Sequence, residues 1–297
     1  MLRPSAKALF GLILLASLLL VACRRDVQAP GDPVAAVKGL AAAVRDNDLV
    51  RYSKLSVPPA LHQQLEARWK QELATAPAPT DAERRKFDQM MARLTEPGAE
   101  AKLVKATENK LKRFEAEING QWPLMKATLT IFATGMIKAN RELGSANKAH
   151  AGALSAALLD ALEPQRLTDR ALARQAVATV VTTARALEVK TLEDTRHLEM
   201  LPALEKAGIV LKGLKQLGKV YGIDADAALA GVEASVESVD GDTATMKVRY
   251  PLNGQSIEFE MQLLRIDGRW YDADAVRAAE AKLNVPVAAT IAPAGVR

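Results

Sequence analysis

The sequence predicts an α+β protein that is mostly α: a long N-terminal helical region, then a four-stranded antiparallel meander and a closing helix. Three observations carry this. From Val34 to Tyr221 apolar residues recur every three or four positions, the spacing of one helix face. From about Gly231 the period drops to two, as in strands with one buried side. That stretch is punctuated by Asp240-Gly241, Pro251 to Gly254 and Asp267-Gly268, which turn one strand into the next.

The helical region opens at Asp32-Pro33, an N-cap followed by proline at the first helical position. Val34, Val37, Ala41 and Val44 then share one face. Asn47-Asp48 breaks this helix, and Asp48 caps a short second one with Leu49, Tyr52 and Leu55. Val57-Pro58-Pro59 forces an extended corner, because proline disfavours α geometry at the residue before it. A third helix runs from Pro59 to Thr75 on Leu61, Leu65, Trp69 and Leu73. After a Pro/Ala linker, Thr80 and Glu83 form a capping box that opens a helix bearing Phe87, Met91 and Leu94.

Pro97-Gly98 stops that helix, and Ala99 to Ile118 forms the next, with Leu103, Leu111, Phe114 and Ile118 inside. Its lysines alternate with Glu108, Glu115 and Glu117, which reads as a solvated face. Asn119-Gly120 is expected to end it. Beyond lie a stripe of Met125, Leu129, Phe132 and Met136, a second of Leu154, Leu158 and Ala161, and a third of Ala173, Val177, Val180, Ala184 and Leu187. Gly144 to His150 is the expected flexible joint. The last helix, Thr195 to Tyr221, places Leu201, Leu204, Leu211, Leu214 and Tyr221 on one side. Its glycines at 208, 213 and 218, with Gly222 just beyond, are costly at ~1 kcal/mol each inside a helix. Close approach of a neighbouring backbone is the preferred explanation, a bend near Gly218 the alternative.

In the meander, Val232, Ala234, Val236 and Val239 precede the first turn. Ala244, Met246, Val248 and Tyr250, then Ile257, Phe259, Met261 and Leu263, alternate with polar residues on the next two strands. Only one of Trp270 and Tyr271 is expected to face the buried side, and Trp270, with the larger apolar area, is the choice. Tyr250, Phe259, Met261 and Trp270 are thus the pocket or core candidates, and a solid core filled by the helical stripes is expected. Asp272 to Leu283 closes with a helix, and residues 285–297 form a loose tail.

The N-terminus carries an address. Arg3 and Lys7 precede a charge-free run from Ala8 to Leu20, which is shorter than the ~20 apolar residues needed to cross a bilayer. It ends in Leu20-Val21-Ala22-Cys23, which resembles the lipobox of bacterial lipoproteins. The resemblance implies that residues 1–22 are a signal peptide and that Cys23 is lipidated, attaching the chain to the membrane. Arg24 and Arg25 would then lie against lipid headgroups, where each cation near an anionic surface contributes ~1 kcal/mol. Arg24 stands where an aspartate commonly marks inner-membrane retention, which implies the periplasmic leaflet of the outer membrane in a Gram-negative host. Residues 23–31 are a tether, 32–228 the helical region and 229–284 the meander with its closing helix.

A second resemblance joins the two ends of the folded part. The paired helices from Asp32 to Pro59, broken at Asn47-Asp48 and ending in Val57-Pro58-Pro59, are similar to the opening of cystatin-like cone proteins, the nuclear-transport-factor-like superfamily. Asp267-Gly268-Arg269-Trp270-Tyr271 resembles their final strand. This implies a curved sheet around a concave face, with residues 99–228 as a helical insertion.

Composition sets further bounds. Of 297 residues 49% are hydrophobic and 25% charged, which suits a chain with a buried core. The 40 Lys and Arg are interspersed with 35 Asp and Glu, which does not read as a nucleic-acid footprint. Cys23 is the only cysteine, so neither an intramolecular disulfide nor a thiolate cluster can form. His62, His150 and His197 are far apart in sequence, without a metal-binding or catalytic motif around them. Asp224-Ala-Asp226 and Asp272-Ala-Asp274 lack the glycine a calcium loop needs at its sixth position, where Leu229 and Arg277 stand. They read as helix caps. An acid–base enzyme would require Asp224 or Asp274 to meet a histidine.

The expectation is a non-catalytic, lipid-anchored envelope protein with no cofactor and no metal, whose helical body contacts another envelope protein. The alternative is a cone-type module that binds a small apolar ligand. The part from Ala29 onward is expected to fold as a mainly helical monomer.

Overall fold

The structure, a computed structural model, describes residues 27–140 and 144–284. Eleven helices precede the sheet among these residues: α1 (Pro33–Arg45), α2 (Leu49–Ser56), α3 (Pro59–Thr75), α4 (Asp81–Thr95), α5 (Ala99–Ala139) and α6 (Ser145–Ala161). They continue with α7 (Pro164–Thr168), α8 (Arg170–Ala186), α9 (Leu192–Arg196), α10 (Met200–Val220) and α11 (Ala225–Ala230). The strands are β1 (Glu233–Asp240), β2 (Thr243–Leu252), β3 (Gln255–Ile266) and β4 (Arg269–Asp272), and α12 (Ala273–Asn284) closes the chain. The protein is α+β and mostly α, with one antiparallel sheet in the order β1-β2-β3-β4.

Local chemistry sets the element boundaries. The Asp32 carboxylate accepts from the Ala35 amide at 2.7 Å and Asp48 from Arg51 at 2.8 Å, satisfying donors that open α1 and α2. Thr80 and Glu83 close a reciprocal capping box on α4. In the sheet, Asn253-Gly254 and Asp267-Gly268 all have positive φ, the geometry that matches a tight turn to strand twist. The first hairpin turns on Gly241-Asp242, one residue later than the sequence signal.

The sheet is covered on two sides. Ala36 and Val37 of α1 pack on one face against Ala244, Met246, Val248, Leu263 and Trp270. On the other, Tyr271, Leu264 and Ile266 pack beneath Val276 and Ala279 of α12 and Leu61 and Leu65 of α3. Trp270 does face α1, but Tyr271 is just as buried, at 2% exposure against 4%. The expectation of a single buried side fails because α12 folds back over the far face of β4. At the opposite edge, Val236 and Val239 of β1 are exposed, and a register shift between Val236 and Ser238 interrupts the alternation.

Several helical expectations need correction. Asn119-Gly120 does not end a helix: α5 runs 41 residues, with Pro123 inside it. Proline in a helix interior costs about 3 kcal/mol. Here α6, α7 and α8 all pack along α5, so tertiary contact outweighs the local penalty. The stripe of Leu129, Phe132 and Met136 is exposed, because helical period reveals an apolar face without saying what covers it. Val180 is exposed and its neighbour Val181 buried. The segment 144–150, expected as a joint, forms the start of α6.

The helix expected over Thr195–Tyr221 is two, α9 and α10, separated at His197 to Glu199. Leu214 is exposed, whereas Lys215 is buried, its ammonium bonded to the carbonyls of Val44 (3.2 Å) and Arg45 (2.6 Å) and to the Asp226 carboxylate. A cation at the C-terminal end of α1 also complements the helix dipole. The α10 glycines mark close approach: a Cβ on Gly208 would strike the Asn47 carbonyl, and one on Gly213 the Thr183 side chain. The near end of the expected tether is part of the fold. Ala29 is buried, its carbonyl accepts from Arg269 at 2.7 Å, and the Pro30 carbonyl accepts from the Trp270 amide at 3.0 Å.

Candidate ligand cavity

The concave side of the sheet is not filled. Between α1, α6, α11 and the sheet lies a cavity of about 630 Å³, within the range of small-molecule sites. This overturns the expected solid core. The sheet face is solid only where Trp270, Met246 and Leu263 meet α1. Tyr250, Phe259 and Met261 line the cavity, whereas Trp270 lies in the packed part. Cys23, Arg24, Arg25 and the tail 285–297 lie outside the described residues.

The residues arrive by strand alternation and helix period. Val248 and Phe259 are directly paired across β2 and β3, as are Tyr250 and Ile257, so all four side chains share one face. Val37, Leu40, Ala41 and Val44 of α1 form one wall. Leu154 and Leu158 of α6 close another with Ala228 of α11 and Leu252, leaving the Leu252–Ile257 end apolar.

His150 sits in the middle. Its ring stacks on Phe259 with centroids 3.8 Å apart and planes within 8°, and its Nε2 lies 2.8 Å from the Tyr250 hydroxyl. Burial pushes the His150 pKa down and the Tyr250 pKa up, which keeps both groups neutral near pH 7. The pair is separated by 100 positions in the chain, so no short motif signals it.

Carboxylates gather towards the β4 end. Asp272 pairs in register with Leu263 and its Oδ1 accepts from the amides of Asp274 (2.9 Å) and Ala275 (3.3 Å), capping α12. Burial drives the Asp272 pKa up, partly offset by these backbone donors. Tyr52, also lining the cavity, has its pKa raised by burial and then by the nearby Asp272 charge. Asp274 takes hydrogen bonds from Asn147 of α6 and from Arg277 of α12. Two helices whose contacting residues lie 127 positions apart in the sequence therefore meet at this rim.

The other titratable candidates have separate partners. Neither Asp224 nor Asp274 is bonded to a histidine. Asp224 caps α11 through the Ala227 amide at 3.0 Å and pairs with Lys219 at 2.8 Å. His62 lies between Ser53 and Glu66, and His197 pairs with Glu193 on the surface. Among the described residues no group of three or more His, Cys, Asp or Glu is placed to hold a metal ion, and no helix is long and apolar enough to cross a membrane. Comparison with protein-family models, with curated proteins and with solved structures gave no match, so the cavity's own chemistry carries the functional reading.

Proposed function

We propose that this chain is a lipid-anchored protein of the bacterial envelope whose folded body binds a small apolar ligand without chemically altering it. The observation that carries this is the apolar cavity, crossed by one neutral His150–Tyr250 pair. Ligand sites of this kind combine a mainly apolar wall with a few oriented polar groups. The lipobox-like Leu20-Val21-Ala22-Cys23 supports the anchor, and the cone-like residues Asp32–Pro59 and Asp267–Tyr271 support a ligand-holding concave face. The proposed location is the periplasmic leaflet of the outer membrane.

Titration of the folded protein with an environment-sensitive hydrophobic dye tests the binding role. Saturable binding near one dye per chain, lost in Ala41→Leu, is expected; no binding, or binding indifferent to Ala41→Leu, would overturn the reading. The anchor is tested separately by intact mass of membrane-extracted protein. A mature chain beginning at an acylated Cys23, abolished in Cys23→Ala, is the expected result.

A second reading, contact with another envelope protein, is favoured by the exposed face of α5. Leu124, Ile131, Phe132 and Met136 are all more than half exposed there, an apolar run of the kind that marks interaction surfaces.

A further inference from the structure

The cavity has a direction. Its Leu252–Ile257 end is apolar, and its charged groups stand towards the far end of β3, where Leu263 pairs with Asp272. Six residues of strand separate Ile257 from Leu263, roughly 20 Å at strand rise. An elongated molecule would therefore lie with its tail by Leu252 and its head by Asp272.

The charge at the head is one-sided. At this end the lining includes Asp272 and Asp274, with Arg277 as the only Lys or Arg among the described residues that line it. Arg277 is already bonded to Asp274. Asp272 Oδ1 is occupied by two backbone donors, and Oδ2 has no hydrogen-bond donor among the described residues. An anionic head would enter beside these carboxylates with no uncommitted lysine or arginine among the described lining residues to meet it, which is costly in a partly desolvated site. A head carrying N–H or O–H donors would instead supply the partner that Oδ2 lacks.

We propose that the cavity selects amphiphiles whose polar end is a non-anionic hydrogen-bond donor, an amine or a hydroxyl, with Asp272 Oδ2 as its acceptor, and rejects carboxylate-headed chains. The proposal rests on the cavity being a ligand site and adds the class of ligand. Asp272 is partly buried, and that burial raises its pKa.

Three probes of equal length, dodecylamine, dodecanol and dodecanoate, separate the outcomes by displacing the hydrophobic dye from the folded full-length chain at pH 7. Dodecylamine and dodecanol are expected to displace it at concentrations at least tenfold below dodecanoate. The amine ahead of the alcohol would identify a charged head as preferred; equality would identify the donor alone. Asp272→Asn keeps the Oδ1 acceptor that caps α12 but removes the charge and places a donor at the other position. In this variant the dye should bind unchanged while the preference over dodecanoate falls at least fivefold. Dodecanoate competing as well as the amine, or selectivity unchanged in Asp272→Asn, would overturn the proposed head-group class while leaving the cavity as a ligand site. Failure of the dye and of all three probes would overturn both.

Discussion

The two faces of the β3–β4 edge are made from the same kinds of residue and end differently. On one, Tyr271, Leu264 and Ile266 are packed against α12 and α3. On the other, Trp270 and Leu263 begin an equally apolar surface that opens, two residues along β3, into the cavity beside Met261 and Phe259. The difference lies in what crosses each face. Helix α12 follows β4 directly and lies over the first. The second is spanned by α1 and by α6 and α11, which stand apart enough to leave space. Apolar alternation thus specifies burial, whereas the spacing of the covering helices specifies whether burial is packed or hollow.

The largest effect should come where the concave face is solid. Trp270→Ala removes a side chain packed against Ala36, Val37 and Met246 and lying 5.6 Å from the Arg265 guanidinium. It should cost about 3–5 kcal/mol in urea unfolding. A loss below about 1 kcal/mol would mean that this end is hollow too.

The matched pair Ala279→Leu and Ala41→Leu compares the faces directly. Ala279 is buried in the packed layer, so the larger side chain should destabilise by about 1–3 kcal/mol. Ala41 borders the cavity, and there the added atoms should change stability by less than about 1 kcal/mol while removing dye binding. Equal penalties at both sites would erase the contrast.

A smaller effect is expected with pH. Burial holds the His150 pKa below its ordinary value, so the unfolded chain takes up a proton that the folded chain resists. Its contribution is therefore fully present above about pH 6.5 and is lost as pH falls from there through the folded value. Burial also lowers His62, with Glu66 opposing. Asp272, whose pKa is raised, has the opposite sign, so the comparison is best made between wild type and His150→Gln. Urea midpoints at pH 7.5 and 5.5 should fall less in the variant; an equal fall would show that His150 does not titrate against burial.

Much of this fold is legible along the chain because its causes are local. Asp32, Asp48 and Thr80 cap the helices they announce, and the turns at Asn253-Gly254 and Asp267-Gly268 are written in adjacent residues. The errors arise where distant segments decide. Asn119-Gly120 reads as a break, yet α5 continues through it, with α6, α7 and α8 packed against the helix. The spacing places Leu214 on the apolar side of its helix, yet it is the neighbouring Lys215 that is buried, held by carbonyls at the end of α1 171 and 170 positions away. The candidate site was half visible. Tyr250, Phe259 and Met261 follow from alternation, but His150 gains meaning only from residues a hundred positions downstream. The cavity itself is space, and no residue pattern encodes it.

The ammonium of Lys215 on the last carbonyls of α1 also bears on the order in which the molecule is completed. Besides α2, its neighbour in sequence, α1 packs on α11, β1, β2 and β4, all contributed by residues from Ala225 onward. The earliest described helix therefore obtains most of its final neighbours only when nearly the whole chain is at hand. Topologies ruled by such distant pairings fold slowly, since the closure entropy is lost before the contacts form. During synthesis α1 waits, with its apolar stripe open, for the sheet that will cover it.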